Sequence, residues 1–232
     1  MANNDLRYIG EIPTNRQMKC PLVLVLDVSG SMIGELINQL NEGLQKFQKE
    51  ILNDTETSSK LDIAIVTFGS SIDIIQEFSL IDGFEMPTLI LNGTTRMIDG
   101  LGKGIELLEA RKHWYKSTGQ TYYRPYLVLM TDGSPDTNQD VNGAIQEITR
   151  LSENKHLNFW AFGAGQYADM SLLNRLAGNH KTSLVQQLKG TDFIKFFKWL
   201  SDSMGEISRS NPDDSINIAP KSADRNPFQI LT

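Results

Sequence analysis

Three short stretches of the chain carry oxygen-bearing side chains in patterns that could hold a hard cation: Asp27-Val28-Ser29-Gly30-Ser31, Gly93-Thr94-Thr95 and Thr131-Asp132-Gly133. Every polar side chain among them ends in oxygen, and no His or Cys cluster accompanies them. Asp27, Ser29 and Ser31 alternate with Val28 and Gly30, so an irregular turn leading into a helix can bring the three side chains to one point, with Gly30 relieving the crowding. Two carboxylates, Asp27 and Asp132, would repel one another there without a cation. An oxygen-only donor set with room for water suits Mg²⁺, with Mn²⁺ as the second choice, and argues against structural zinc.

The elements that must position these residues can be read from periodicity. The run from Pro21 to Asp27, PLVLVLD, is continuously apolar up to its last residue, as in a strand buried on both faces of a parallel sheet. From Ile33 the apolar residues Leu36, Ile37, Leu40, Leu44, Phe47 and Ile51 recur at helical spacing, and DTETSS breaks the pattern. Strands follow at LDIAIVTFG and SIDIIQEF, joined by a hairpin at Gly69 to Ser71 that supplies one antiparallel edge. A helix is predicted over Met97 to Ala110, a central strand at YLVLMTDG, a helix over Val141 to Leu151 and a strand at LNFWAFGAG. A short helix over Met170 to Ala177, a strand near Ser183 to Gln186 and a closing amphipathic helix from Thr191 to Ile207 complete the set. This alternation predicts an α/β fold: a doubly wound, Rossmann-like, mainly parallel sheet with helices on both faces. In such sheets the functional loops lie at the carboxyl ends of the strands, which is where all three oxygen-rich stretches fall.

Composition narrows the function classes. The 232 residues are 40% hydrophobic and 22% charged, which is ordinary for one globular core and excludes disorder of the whole chain. One domain over 21–208 is expected, with an N-terminal extension over 1–20 and a poorly ordered tail over 209–232 that is rich in Ser, Asn, Asp and Pro. A net charge of −6 argues against nucleic acid or anionic lipid as the main partner. No apolar run approaches the ~20 residues of a membrane span, and the single cysteine, Cys20, reads as a small buried hydrophobe, so a cytoplasmic setting is expected.

Asp27-Val28-Ser29-Gly30-Ser31 resembles the DxSxS signature of von Willebrand factor A domains, and Thr95 and Asp132 match the separated Thr and Asp of that family's metal-ion-dependent adhesion site. The resemblance implies that Ser29 and Ser31 ligate Mg²⁺ directly, that Asp27 and Asp132 act through water or hydrogen bonds, and that a partner carboxylate takes an open coordination position. It also selects Thr95 over Thr94 as the third hydroxyl, although Thr94 departs from the commoner Gly-Gly-Thr. The stretches DVSGSM, TDGSPDT and FGAGQYADMSLLNRLA are further similar to the bacterial TerY/YegL-like proteins associated with tellurium resistance and stress operons. That narrower resemblance implies a tellurite-resistance or stress-response role beside a protein kinase and a PP2C-like phosphatase.

The function expected is therefore a non-enzymatic protein-interaction module with Asp27, Ser29, Ser31, Thr95 and Asp132 around the metal. Met32, Arg96, Ser134, Asp136, Gln166 and Tyr167 are expected to form the rim that meets the partner. Competing readings are a Mg²⁺-dependent phosphatase or phosphotransferase using Asp27, and a subunit of an AAA-type ATPase assembly. Gly100, Gly102 and Gly104 fall inside a helical stretch, so they read as close packing rather than a dinucleotide fingerprint. Arg111 to Lys116, with Tyr122, Tyr123 and Arg124, mixes basic and aromatic residues between a predicted helix end and a strand start, on the face opposite the metal.

Overall fold

Strand β1, Cys20–Asp27, is buried along its whole length, because both faces of its Leu and Val run are covered by helices. The structure, a computed structural model, describes residues 7–178, 180, 183–188 and 192–210. Strands β2 (Leu61–Phe68), β3 (Ile72–Leu80), β4 (Tyr126–Thr131), β5 (Asn158–Gly163) and β6 (Leu184–Gln187) join β1 in one sheet, in the order β3-β2-β1-β4-β5-β6. Only β3 runs antiparallel, paired with β2 across the tight connection at Gly69 to Ser71. Strand β1 pairs in parallel with both β2 and β4, so successive crossovers leave it in opposite directions. The crevice between the ends of β1 and β4 is thus the switch point at which open α/β sheets bind their ligands.

Alternation along β1 divides the core. Leu22, Leu24 and Leu26 face the side covered by helices α1 (Glu35–Leu52) and α6 (Phe193–Arg209), where Leu40, Leu44, Phe47, Phe196 and Phe197 complete the packing. Val23 and Val25 face α3 (Met97–Thr118), α4 (Val141–Glu153) and α5 (Met170–Ala177) on the other side. A single turn, α2 (Thr55–Ser58), occupies the DTETSS break, with Asp54 accepting from the Thr57 amide. Among the described residues, no helix is long and apolar enough to cross a membrane.

Several boundaries differ from the sequence expectation. A 3-10 turn over Gly30–Met32 and Gly34, at φ +82°, intervene before α1, which therefore begins at Glu35 rather than Ile33. Helix α3 continues eight residues past Ala110, carrying most of the basic and aromatic stretch inside the fold. There the Arg111 guanidinium lies 4.0 Å from the centre of the Trp114 ring and 4.7 Å from that of Tyr8. Its Nε donates to Asp62 at 2.8 Å, and Tyr115 donates to the same oxygen at 2.6 Å. Helix α6 runs to Arg209, two residues past the expected end, and 211–232, most of the expected tail, lie outside the described residues.

The segment before β1 packs on this cluster. Glu11 accepts from Arg111 at 2.7 Å, the Glu11 carbonyl accepts from the Trp114 indole at 3.0 Å, and Tyr8 donates to Glu77 at 3.1 Å. Of the helical glycines, Gly100 abuts Phe68 and Gly104 abuts Val25, so helix packing accounts for both; Gly102 faces open space.

Candidate metal centre

The end of β1 delivers Asp27 into the crevice as a fully buried carboxylate. Its two oxygens are committed separately: Oδ1 accepts the Ser29 amide at 2.8 Å and Oδ2 accepts the Thr131 hydroxyl at 2.6 Å. The second bond ties the β1 loop to β4. Burial, offset in part by the bonds from Ser29 and Thr131 and reinforced by the Asp132 charge, pushes the Asp27 carboxyl up to about 6. Asp132 is also raised, by burial first, with the Ser31 bond opposing.

The hydroxyls continue from there. Ser29 Oγ and Ser31 Oγ lie 3.1 Å apart, and Ser31 Oγ donates to Asp132 Oδ1 at 2.7 Å. Hydrogen bonds thus gather Asp27, Ser29, Ser31 and Asp132 from two strand ends into one polar cluster. The 3-10 turn makes this possible, since the Met32 amide reaches back to the Ser29 carbonyl at 3.0 Å and curls the loop.

The third stretch is held beside the cluster through its backbone. Gly30 N–H donates to the Gly93 carbonyl at 2.7 Å, and a Cβ on Gly30 would already touch that oxygen at 3.4 Å. Thr95 is half-buried, whereas Thr94 is exposed, its amide donating to Ser70 Oγ at 3.0 Å. Thr95 is gripped by the β4–α4 loop: its amide donates to Asp136 Oδ1 at 3.2 Å, and its carbonyl accepts from the Asp136 amide at 3.0 Å and from Gln139 Nε2 at 2.9 Å.

The donor set fits a small hard cation. Octahedral Mg²⁺ at ~2.1 Å from each ligand sets neighbouring oxygens roughly 3 Å apart, and the two serine oxygens already have that separation. Two carboxylates whose burial favours protonation gain most from a nearby positive charge. Among the described residues no three His, Cys, Asp or Glu side chains converge on a metal-sized point, so any such centre draws on neutral hydroxyls.

The rim is only partly as expected. Met32 does not line the mouth: it is fully buried in the core beneath α1, because the 3-10 turn points its side chain inward. Ile33, 70% exposed, is the apolar side chain that turns outward there, and the helical register that placed it in α1 concealed it. Arg96 is exposed and bonds to Asp99 at 2.8–2.9 Å; with Asp99, Pro135, Asp136, Thr137, Asn138 and Gln139 it lines a polar cleft of about 700 Å³. Ser134 is exposed, Asp136 is half-buried, and Gln166 and Tyr167 stand in solvent after β5.

A family model for the von Willebrand factor type A domain matches residues 22–194. The chain belongs to this family. Inter-alpha-trypsin inhibitor heavy chain H1 of Mesocricetus auratus is 25% identical over 93% of this VWA chain and 24% of its own length. Heavy chain H3 of Mus musculus is 27% identical over 67% of this chain and 18% of its own length. The chain therefore spans about a quarter or less of these curated relatives. Among solved structures, the vWF domain of the type V pili tip protein Mfa5 from Porphyromonas gingivalis superposes with a TM-score of 0.59 at 12% identity. That match covers 84% of this chain and 98% of the other. The PilB minor pilin from Streptococcus sanguinis gives 0.59 at 17% identity, over 84% and 63% respectively. These likenesses establish the VWA fold, whose general use is protein interaction.

Proposed function

We propose that this VWA domain binds a protein partner through a divalent cation, Mg²⁺ or Mn²⁺, held by Ser29, Ser31, Thr95, Asp27 and Asp132. The observation that carries the reading is the run of oxygens from Asp27 through Ser29 and Ser31 to Asp132 at the switch point of the sheet. When bound, the cation supplies a Lewis-acidic position that an incoming carboxylate can occupy. Both Asp27 oxygens already accept hydrogen bonds from Ser29 and Thr131, so Asp27 serves best by orienting the serine loop. Ser29 and Ser31 contribute neutral oxygens, which leave most of a cation's charge available to the partner. Arg96 with the cleft it lines follows Thr95 in the chain, and the exposed Ile33 follows the serine loop, so charged and apolar side chains are both available near the centre.

Binding is favoured over phosphoryl transfer by Asp27 because that carboxylate is fully buried and doubly bonded, a poor position for an attacking nucleophile. The tellurite-resistance or stress role and the kinase and PP2C-like phosphatase partners rest on the motif resemblance alone, and the cytoplasmic setting rests on the single cysteine and the shortness of the apolar runs. Calorimetric titration of Mg²⁺ and Mn²⁺ into the wild type, Ser29→Ala and Asp27→Asn tests the reading. Saturable binding in the wild type that Ser29→Ala removes supports it. Equal binding in all three proteins, or none in any, overturns it.

A further inference from the structure

We infer that Gln139 and Asp136, neither of which need touch the cation, are positioning residues that set the place of Thr95 and thereby the affinity of the centre; the inference rests on the reading just given. Thr95 sits in a connection without regular structure, between β3 and the first turn of α3. Such a loop holds a side chain in one place only if its backbone is tied down.

The bonds on Thr95 itself come from one other loop, while Asn92, Gly93, Thr94 and Arg96 beside it are bonded to the β1 loop and the β2–β3 connection. Asp136 closes a reciprocal pair with Thr95: its carboxylate accepts the Thr95 amide at 3.2 Å, and its own amide donates to the Thr95 carbonyl at 3.0 Å. Gln139 adds a bridge. Its Nε2 donates to the Thr95 carbonyl at 2.9 Å and to the Asp136 carbonyl at 3.3 Å. Its Oε1 accepts the Ile98 amide at 2.7 Å and the Asp99 amide at 3.3 Å, in the first turn of α3. One amide side chain thus satisfies two of the orphan donors of the α3 N-terminus, where Arg96 at the cap position offers no side-chain bond. The same group fixes the carbonyl of the adjacent candidate ligand.

This closes a triangle. The β1 and β4 ends are joined by Asp27–Thr131 and Ser31–Asp132, the β1 and Thr95 loops by Gly30–Gly93, and the Thr95 and β4 loops by Asp136 and Gln139. Removing the third side loosens the backbone that carries the Thr95 hydroxyl without emptying the core. Supporting groups of this kind are worth roughly 10–100-fold in metal affinity. Asp136, expected from sequence to form part of the rim that meets the partner, has a carboxylate oxygen engaged inside this bridge.

The test is Mg²⁺ titration of the full chain, wild type and Gln139→Ala, repeated in a Thr95→Ala background, with melting in metal-free buffer as a control. Expected is a roughly tenfold or greater loss on Gln139→Ala alone, and no further loss when Thr95 is already alanine. Asp136→Asn, which keeps the oxygen that accepts the Thr95 amide, retains wild-type Mg²⁺ affinity, while Asp136→Ala loses it. If Gln139→Ala weakens Mg²⁺ equally in both backgrounds, or leaves it unchanged while the wild type binds, the positioning role is overturned and the metal reading survives. Absence of Mg²⁺ binding in the wild type overturns both.

Discussion

The Ser31 hydroxyl donates to Asp132 Oδ1 across 2.7 Å although 101 residues separate them in the chain. The bond spans the crevice between β1 and β4, so it reports directly on whether the two loops share one site. Ser31→Ala is expected to weaken Mg²⁺ binding at least tenfold. Because Ser31 is exposed, the cost in denaturant stability should be about 1 kcal/mol. Calorimetry and urea unfolding of the same protein separate the two effects.

Metal should also stabilise the fold. A ligand at about 100 times its Kd adds ~2.7 kcal/mol to the folded state, which in a domain of this size raises Tm by roughly 5–10 °C. A thermal scan with Mg²⁺, then with excess EDTA, is expected to show that rise and its reversal. An identical rise in Asp27→Asn and Ser29→Ala would place the stabilising ion elsewhere.

Gly69 has no room for a side chain. A Cβ there would stand 1.9 Å from the Asn92 carbonyl oxygen, which accepts the Ser70 amide, while the Gly69 carbonyl accepts the Arg96 amide at 3.2 Å. The β2–β3 connection is therefore seated against the Thr95 loop. Gly69→Ala is expected to cost about 1–3 kcal/mol in stability and to lower Mg²⁺ affinity as well. Gly102→Ala, where a Cβ meets nothing, is the control that should do neither.

Lys19 gives a pH signature far from the centre. Burial lowers its ammonium from 10.5 to about 8, against the attraction of Asp62. Between about 8 and 10.5 the unfolded chain holds a proton at this site that the folded chain has released, so this contribution to stability rises with pH across that window. The urea midpoint of the wild type relative to Lys19→Met should accordingly climb between pH 7 and pH 10. A difference that stays constant over that range would remove Lys19 as the cause.

What the sequence made legible was whatever depends on period and on residue chemistry. The continuous apolar run of β1, the hairpin at Gly69 to Ser71 and the helix over Met170 to Ala177 all announce themselves locally. So do the oxygen types at the ends of β1 and β4. What escaped depends on direction within a turn or on backbone partners. Met32 and Ile33 are both apolar, and only the 3-10 turn decides that the first goes inward and the second outward. Gln139 left no signal, because its bonds go to main-chain groups about forty residues away. Arg111 and Lys112 read only as part of a basic and aromatic stretch after a helix end, because a charge is a poor core residue until Asp62 and Glu109 are seen to pair with them.

The packing of Tyr8 and Glu11 onto Arg111 fixes where the chain can be cut. The family match begins at residue 22 and stops at 194, just inside α6, whereas the packed fold includes Tyr8 and Glu11 before the match and extends past it to Ser210, whose carbonyl accepts the Tyr123 hydroxyl at 2.8 Å. A fragment trimmed to the family boundaries would strip the cover from a guanidinium paired with a buried carboxylate and discard most of the helix packed on α1. It should behave as a protease-sensitive, partly folded species, while the full chain should keep the native resistance.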